Sequence, residues 1–327
     1  MYIPQIQFSL WADFIERDFI DTGLKRLVEQ GVVNGATSNP AIFKNAILTS
    51  PAYQMQLETL QNHTPKAKYE ALAITDIQKA ADALRPLFDQ SDDGYVSIEV
   101  DPYLCDDAVG TIEEGRRLFR AIGRPNVMIK VPATDAGYVA METLVSEGIP
   151  VNATLIFSKA QALACANSFA RGLEKGSTQV DTVISIFVSR LDRAIDATLE
   201  AKGVQPALAG VYNAAAIYEA VESLELPRCR ALFASTGVKG GGLRPSYYVD
   251  ALLAAHSVNT APIETIEAFV AHGDTEAKLP LDAERIEEHF DAVAEAGVDI
   301  EAVYAQLMAE GLEAFKTAFA EILAELE

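Results

Sequence analysis

Short apolar runs rich in β-branched residues recur along the chain, and segments with apolar residues at helical spacing separate them. Buried strands of a parallel sheet have this pattern, because both of their faces are covered. The predicted strands are Phe8–Asp13, Gly35–Pro40, Val96–Asp101, Val127–Val131, Val151–Phe157, Thr182–Val188, Arg230–Ser235 and Val258–Ala261. Eight strands that alternate with helices predict an α/β fold, a TIM (β/α)8 barrel with extra helices, rather than an open Rossmann sheet.

The extra helices fall at two points outside the barrel repeat. Residues 51–89 carry helical spacing and no strand pattern, which predicts an insertion between the second and third strands. Two further helical patterns occupy roughly residues 281–296 and 300–326. Because no low-complexity linker interrupts the chain, we predict one domain over residues 1–327, with C-terminal helices over 281–326.

A lysine interrupts the fourth strand. Side chains alternate between the two faces of a strand, so Met128 and Lys130 point one way, and Val127, Ile129 and Val131 point the other. A lysine is almost never fully buried unless it is paired or used. Two interpretations are open: a structural lysine paired with an acid, or a desolvated amine that acts as a nucleophile.

Polar side chains occupy the matching face in other strands, near the end of each strand. If the apolar faces meet the helices, these polar faces point into the barrel, where TIM barrels keep their chemistry. This agreement favours an active site over separate satisfied core residues. In the fifth strand the same alternation groups Ile156 with the polar face, and in the seventh it groups Phe233 with that face. The polar residues concerned are Asp13, Thr37, Asn39, Glu99, Asn152, Thr154, Ser185 and Ser235.

The residue types limit the chemistry. No histidine lies on a predicted strand, which argues against a histidine-held zinc ion, and magnesium held by Asp13 and Glu99 is an alternative that the charge of Lys130 disfavours. An amine among acids and amides can form a Schiff base with a carbonyl substrate, and this provides an electron sink without a metal or cofactor. Asp13 and Glu99 would then move protons.

A basic residue follows the sixth strand, where a helix is expected to begin. Arg190 could bind a phosphate group together with Ser185, Ser235 and Lys239, because phosphate sites in this fold commonly lie beside the late strands. The alternative for Arg190 alone is a surface ion pair with Asp192 or another nearby acid.

Composition narrows the possible partners and location. The net charge of the 327 residues is −21, from 26 basic and 47 acidic side chains, so we expect no nucleic-acid or anionic-membrane partner. The N-terminus has no signal-peptide character, and no apolar run approaches membrane-spanning length. Cys105, Cys165 and Cys229 share no metal or redox spacing. These features predict a cytoplasmic protein.

Five motifs, taken together and in order, resemble those of the transaldolases. They are Ala36–Pro40, Ser97–Asp101, Met128–Pro132, Asn152–Phe157 and Ser185–Arg190. The resemblance implies a metal-independent class I enzyme with its Schiff-base lysine at Lys130. It also implies transfer of a dihydroxyacetone unit from sedoheptulose 7-phosphate or fructose 6-phosphate to erythrose 4-phosphate or glyceraldehyde 3-phosphate, in the pentose phosphate pathway. Sugar phosphates are therefore the expected partners, and we expect a monomer or a homodimer.

The resemblance also assigns roles by matching position. Asp13 would deprotonate the C4 hydroxyl, and Glu99 and Thr154 would hold the water of Schiff-base formation. Asn39 and Asn152 would bind the dihydroxyacetone hydroxyls.

At the other end of the substrate, Ser185 and Arg190 would bind phosphate, and Thr37 and Ser235 would contact the sugar phosphate. Many transaldolases place an arginine just after a serine on the seventh strand, whereas this chain has Lys239 farther on, as one subgroup does.

Two other functions stay open. One is a fructose-6-phosphate-type class I aldolase that releases free dihydroxyacetone, and the other is a non-catalytic barrel that binds sugar phosphates. Phe187 favours the transferase, because related small aldolases carry tyrosine at the matching position.

Overall fold

Eight parallel strands pair in chain order, and the last pairs with the first to close a barrel. The computed structural model describes residues 1–176 and 179–327. The strands are β1 (Ser9–Ala12), β2 (Gly35–Ala36), β3 (Tyr95–Glu99), β4 (Val127–Pro132), β5 (Val151–Ile156), β6 (Thr182–Phe187), β7 (Cys229–Ala234) and β8 (Val258–Ala261). Each overlaps one predicted run, so the predicted TIM barrel is confirmed.

Helices follow the strands and also occupy the two regions where extra helices are predicted. They are α1 (Arg17–Phe19), α2 (Lys25–Glu29), α3 (Pro40–Thr49), α4 (Gln54–Thr59), α5 (Pro65–Asp89), α6 (Ala108–Ile122), α7 (Asp135–Ser146), α8 (Lys159–Lys175), α9 (Ser189–Ala201), α10 (Ala209–Glu222), α11 (Tyr247–Ala251), α12 (Ile263–His272), α13 (Ala283–Glu295) and α14 (Ile300–Glu325). Within the described ranges, none of them is long and apolar enough to cross a membrane.

Apolar side chains form two buried clusters, and strand alternation sorts residues between them. Val96 and Ile98 of β3 belong to the larger cluster, which includes side chains of the surrounding helices. Trp11, Met128 and Val183 belong to a second cluster together with other side chains that face the barrel axis. The predicted alternation is therefore confirmed on β3 and β4.

The predicted alternation is wrong beyond Thr154 on β5. Pairing with β6 shifts register between Ala153 and Ile156, and Leu155 has a left-handed backbone with φ of 60°. A bulge of this kind turns the following side chains to the opposite face. Ile156 accordingly joins the outer cluster, whereas Leu155 joins the cluster that faces the barrel axis.

The grouping of Phe233 with the polar face of the seventh strand is also wrong. Phe233 packs in the larger cluster with the helices, and Ala234 belongs to the inner one. Ser235 follows the end of β7 and has φ of 55°. Its place near the barrel axis depends on this left-handed turn and not on strand alternation.

Helix α14 crosses the end of the barrel where the strands terminate. It packs against α3, α5, α9 and β5. Near its start, Tyr304 donates to Asn213 Oδ1 (2.8 Å), and the Asn213 amide donates to the carbonyl oxygen of Phe157 (2.7 Å) just after β5. Near its end, Glu321 pairs with Lys44 of α3 (2.5 Å). The helix is thus attached at both ends.

Ion pairs and hydrogen bonds link four strands at the opposite end of the barrel. Asp93 precedes β3, accepts a hydrogen bond from Trp11 Nε1 (3.0 Å) and forms an ion pair with Arg230 of β7. Tyr95 donates to Asp181 (2.6 Å), which lies just before β6. These contacts join β3 to β1, β6 and β7.

We predict that Gly35→Ala destabilises the fold by roughly 1–3 kcal/mol, the usual range for overpacking a tight core. A Cβ at Gly35 would lie 2.5 Å from Trp11 Cε2, and both residues are buried. Urea unfolding of the two proteins measures the difference. Gly241→Ala is the matched control, because a Cβ there has nothing within 4 Å. Equal stabilities for Gly35→Ala and the control would contradict this packing.

Candidate active site

A cavity of about 250 Å³ opens at the carboxyl end of the strands. Most of the predicted site residues line it, namely Asp13, Thr37, Asn39, Lys130, Ser185, Phe187, Arg190, Ser235 and Lys239. The remaining three, Glu99, Asn152 and Thr154, are buried on neighbouring strands and do not line the cavity. The sequence therefore predicted a set of residues that the fold brings together.

Lys130 lies at the base of this cavity and is only 4 % exposed. Its Nζ donates to the carbonyl oxygen of Ser38 (3.2 Å) and lies 3.7 Å from Glu99 Oε2. Strand register places Glu99, Lys130 and Asn152 side by side on β3, β4 and β5. The amine is thus held among polar groups, and one face is left toward the cavity.

Glu99 is a buried acid with an altered protonation equilibrium. Burial raises the pKa of Glu99 to about 7, against the opposing charge of Lys130. Within the described part of the chain, neither carboxyl oxygen of Glu99 has a hydrogen-bond partner, and the same holds for Thr154 Oγ1. Buried polar atoms without partners are suited to bind a water molecule. A group with a pKa near 7 can both donate and accept a proton at neutral pH.

Asp13 lines the cavity just after β1. Its Oδ1 accepts a hydrogen bond from Thr37 Oγ1 (2.7 Å), and Thr37 Oγ1 lies 2.6 Å from Thr260 Oγ1. Burial raises the pKa of Asp13, while the charge of Lys130 and the Thr37 hydrogen bond oppose this effect. The Thr37 hydroxyl thus orients the Asp13 carboxyl group through this hydrogen bond.

Among residues 1–176 and 179–327, no three His, Cys, Asp or Glu side chains are grouped so that they could hold a metal ion.

A chain of hydrogen bonds crosses the barrel interior beside Lys130. The Asn152 amide donates to Ser97 Oγ (3.0 Å), and Ser185 Oγ donates to Asn152 Oδ1 (2.7 Å). The Ser185 hydroxyl proton is therefore engaged in orienting Asn152, which leaves Ser185 less suited to the predicted phosphate contact. Ser97 was missed by sequence reasoning, although it shares the inward face of Glu99.

Asn39 has a structural role as well as a place in the cavity wall. Its Oδ1 accepts a hydrogen bond from the backbone N–H of Ile42 (3.0 Å) and so caps α3. Asparagine is a favoured N-cap residue because it satisfies a free amide of the first turn. The cap fixes the side chain, and the amide Nδ2 is the group that can reach a ligand.

Three basic side chains besides Lys130 line the cavity. Arg190 and Arg193 lie one turn apart on α9, and Lys239 lies in the loop after β7. The Arg190 guanidinium stacks on the Phe187 ring at 4.9 Å. Burial lowers the pKa of Arg190, and the like charge of Arg193 adds to this effect. Four basic side chains and only one acidic one line the cavity of a strongly acidic protein, which favours anionic ligands there.

The alternative pairing of Arg190 with Asp192 is wrong. Asp192 is 1 % exposed and points away from Arg190, because it accepts hydrogen bonds from Gly210 N (2.7 Å) and Tyr248 Oη (2.8 Å). Asp13, Glu99 and Glu310 oppose the effect of burial on the pKa of Arg190 through their charge. The Arg190 side chain lines the cavity and stacks on Phe187, so its guanidinium can reach a ligand there.

Ser235 lies beside this basic group. Its Oγ is 3.1 Å from Ser189 Oγ, and its carbonyl oxygen accepts a hydrogen bond from Ser189 N (3.1 Å). Lys239 is exposed and lies in a loop with left-handed Gly240. All four residues predicted to bind phosphate, Ser185, Arg190, Ser235 and Lys239, line the cavity, and Lys239 is the most exposed of them.

Six further residues line the cavity and were not predicted as site residues, and three of them, Arg193, Thr260 and Phe315, carry basic, hydroxyl or aromatic side chains. Arg193 follows Arg190 by three positions, so helical spacing could have identified it. Thr260 has the inward position on β8. Phe315 belongs to α14, and its ring centroid lies 6.0 Å from Lys130 Nζ. No local pattern indicates Phe315, because its position depends on how α14 crosses the barrel.

Comparison with known proteins agrees with this geometry. A family model described as Transaldolase/Fructose-6-phosphate aldolase matches residues 10–326. The chain belongs to the transaldolase/fructose-6-phosphate aldolase family. The resemblance found in the motifs is thereby confirmed.

Curated members of the transaldolase/fructose-6-phosphate aldolase family are similar along nearly the whole chain. A protein named Transaldolase from Campylobacter jejuni strain RM1221 is 46 % identical over 330 residues, which cover 98 % of this chain and 99 % of the relative. A protein named Transaldolase from Helicobacter pylori strain Shi470 is 42 % identical over 318 residues, which cover 97 % of this chain and 98 % of the relative.

We predict that Glu99→Gln removes a pH-dependent loss of stability. The folded pKa of Glu99, about 7, lies above its ordinary value of 4.5, so folding favours the protonated acid. The associated stability is full below pH 4.5 and is lost as pH rises through 7. The free energy of unfolding of Glu99→Gln minus that of the wild type should therefore rise between pH 5 and 8, by roughly 1–3 kcal/mol.

Urea unfolding at pH 5, 6, 7 and 8 measures this difference. Glu142→Gln is the control, because Lys175 and Arg171 lower the pKa of Glu142 and move its titration below this range. A difference between Glu99→Gln and the wild type that does not change with pH would contradict a folded pKa near 7 for Glu99.

Proposed function

We propose that this chain is a transaldolase that transfers a dihydroxyacetone unit between sugar phosphates through a Schiff base on Lys130. The observation that carries the proposal is a buried amine, 3.7 Å from an acid with a pKa near 7, at the base of a cavity that Arg190, Arg193 and Lys239 also line. Family membership supports the reaction class, and the proteins from Campylobacter jejuni and Helicobacter pylori are named Transaldolase. Fructose 6-phosphate or sedoheptulose 7-phosphate is the proposed donor.

The first step joins Lys130 to the ketone. The neutral amine attacks C2 of the donor, the hydroxyl of the resulting carbinolamine leaves as water, and a C=N bond forms. Glu99 is placed to donate the proton that this leaving hydroxyl needs, and the unpartnered oxygens of Glu99 and Thr154 can hold the water. The Schiff base carries the positive charge that the next step requires.

The second step breaks the C3–C4 bond. Asp13 takes the proton of the C4 hydroxyl, C4 becomes the aldehyde of the departing aldose phosphate, and the bond electrons move to the Schiff-base nitrogen as an enamine. Thr37 positions Asp13 for this transfer by its 2.7 Å hydrogen bond. Addition of the enamine carbon to an acceptor aldehyde reverses these movements and returns the proton from Asp13.

The remaining polar groups orient the sugar. Asn152, oriented by Ser185, and the Asn39 amide are proposed to bind the dihydroxyacetone hydroxyls. At the other end, the phosphate is proposed to bind Arg190, with Ser235 and Lys239 on the same wall.

A fructose-6-phosphate-type aldolase is the second candidate, because the family description names both activities. Phe187 favours transfer. Its ring packs edge-on against Phe157 at 5.5 Å and beneath Arg190, and it presents no hydroxyl to a water molecule near the bound intermediate. A non-catalytic sugar-phosphate-binding barrel would have no need of an amine buried beside an acid.

Several wider expectations belong to the same proposal. We propose a cytoplasmic location, supported by three free and buried cysteines that a reducing compartment would preserve.

We also propose that residues 1–327 act as one domain, supported by the packing of C-terminal α14 against α3 and α5. The expected partners are sugar phosphates, with neither nucleic acid nor membrane, and the expected assembly is a monomer or a homodimer.

We predict that Lys130→Ala abolishes transfer from fructose 6-phosphate to erythrose 4-phosphate while the protein stays folded. No other group can supply the Schiff-base nitrogen at this position, and Glu99 can accept a proton once its partner is gone. A coupled assay for glyceraldehyde 3-phosphate measures activity, and circular dichroism checks the fold. Lys239→Ala is the control and should retain turnover at saturating substrate. Substantial activity in pure Lys130→Ala would refute the assignment.

We predict that the wild type releases glyceraldehyde 3-phosphate slowly from fructose 6-phosphate when no acceptor is added, and that Phe187→Tyr raises this release at some expense to transfer. The added hydroxyl gives water a hydrogen-bond partner beside the intermediate. The comparison is the release rate with and without erythrose 4-phosphate. If the wild type releases the product as fast without an acceptor as with one, the chain is an aldolase.

A further inference from the structure

Helix α14 approaches the active site through two residues that lie one helical turn apart, Phe315 in the cavity wall and Gly311 beside Leu155 and Arg190. Phe315 lines the cavity, is 4 % exposed and places its ring centroid 6.0 Å from Lys130 Nζ. At Gly311, a Cβ would lie 2.8 Å from Leu155 Cδ2 and 3.4 Å from Arg190 Nη1. One turn of α14 therefore contacts both the amine and the guanidinium of the site.

A glycine in the interior of a 26-residue helix is locally unfavourable, because it has the largest conformational freedom to lose. The close approach of α14 to β5 explains why a glycine occupies position 311. The bulge on β5 turns Leu155 toward α14, and Arg190 fills the space beside it. A Cβ at Gly311 has to displace Leu155, from which it would lie 2.8 Å, and it would come into van der Waals contact with Arg190 Nη1 at 3.4 Å.

We propose that α14 is the fixed cover of the active site, in which Phe315 shields the Lys130 intermediate from water and Gly311 sets the position of Arg190. The proposal rests on the proposed function, because it takes Lys130 as the Schiff-base lysine. Gly311 is a positioning residue that acts through Arg190. The attachments of α14 at Tyr304 and Glu321 hold the helix in place, so the cover is a rigid part of the wall.

The intermediate needs shielding after the first aldose phosphate has left. At that stage the three-carbon unit is an enamine on Lys130. Water can release it in steps. C3 takes up the proton that Asp13 removed from the C4 hydroxyl, which gives the protonated imine. Water oxygen then adds to C2 to form a carbinolamine, one water proton passes to the nitrogen and the other returns to Asp13, and the C2–N bond breaks as the C2 carbonyl forms. Lys130 regains its amine, and dihydroxyacetone leaves. An aromatic ring above the amine excludes the water that this route consumes.

The test of Phe315 compares two aromatic residues of the same helix. Phe315→Leu removes the ring beside Lys130, and Phe319→Leu removes a ring that is 2 % exposed, packs on Tyr69 at 5.1 Å and does not line the cavity. The measured quantity is the ratio of dihydroxyacetone released to units transferred from fructose 6-phosphate. We expect this ratio to rise by roughly threefold to tenfold in Phe315→Leu, since water exclusion and orientation have effects of at least this size.

Phe319→Leu should leave the ratio unchanged. Phe315→Tyr is the second variant, because it keeps the ring and the packing but adds a hydroxyl that can hold water, and it should also raise the ratio. An unchanged ratio in both Phe315 variants would overturn the shielding role, and so would an equal rise in Phe319→Leu.

The test of Gly311 uses its dependence on Arg190. Gly311→Ala should raise KM for fructose 6-phosphate by roughly tenfold, because charge-assisted contacts to phosphate are sensitive to small displacements, and it should change kcat little. Combined with Arg190→Ala, it should add no further loss, because the two act through one contact. Additive losses in the double variant would overturn the positioning role.

Borohydride trapping separates failure of this inference from failure of the proposed function. Each variant and the wild type are treated with fructose 6-phosphate and borohydride, and the adduct is located by peptide mass. If the wild type forms no adduct on Lys130, the proposed function fails and the inference fails with it. If every protein forms the adduct but the ratios and KM values match the wild type, the inference alone fails.

Discussion

Burial of the Lys130 amine against a carboxylic acid is the interaction on which the rest of the site depends. An amine and an acid taken out of water each lose hydration, and their attraction repays this only in part. The loss of hydration raises the pKa of Glu99 to about 7. At neutral pH the pair can therefore exchange protons with a substrate at little further cost. A structural ion pair would satisfy every lone pair, whereas both Glu99 oxygens have no hydrogen-bond partner in the described part of the chain.

The cavity beside this buried pair combines acidic, basic and amide groups. Asp13 and Glu99, whose pKa values burial raises, both interact with the charge of Lys130, and Asp13 lines the cavity. Arg190, Arg193 and Lys239 line the same cavity and favour an anionic ligand there. The amides of Asn39 and Asn152 are held in place by neighbouring groups, and they are suited to bind hydroxyl groups.

Much of this site could be predicted from sequence, because strand alternation is a local rule. Lys130 and Glu99 lie on regular strands, where every second residue faces the axis. The rule fails where the backbone leaves the regular strand. The left-handed residues Leu155 and Ser235 are not glycines, so no residue type marks the bulge or the turn. Ser235 reaches the cavity through that turn, although its predicted strand neighbour Phe233 faces the helices.

Other parts could not be predicted because they depend on packing between distant elements. The helical pattern over 300–326 identifies α14 but not its path across the barrel, and so gives no reason to single out Phe315 or Gly311. Contacts made by backbone groups cannot be predicted from residue types either. One example is the carbonyl oxygen of Ser38, which accepts a hydrogen bond from Lys130 Nζ. Arg193 is different, since its helical spacing from Arg190 was visible in the sequence.

The most direct test of the account is to locate the covalent intermediate. Wild-type protein is incubated with fructose 6-phosphate, reduced with borohydride, digested and examined by peptide mass spectrometry. The account predicts a reduced three-carbon adduct on Lys130 alone, formed only when the sugar phosphate is present. An adduct on another lysine, such as Lys239, or turnover without any reducible adduct, would contradict it.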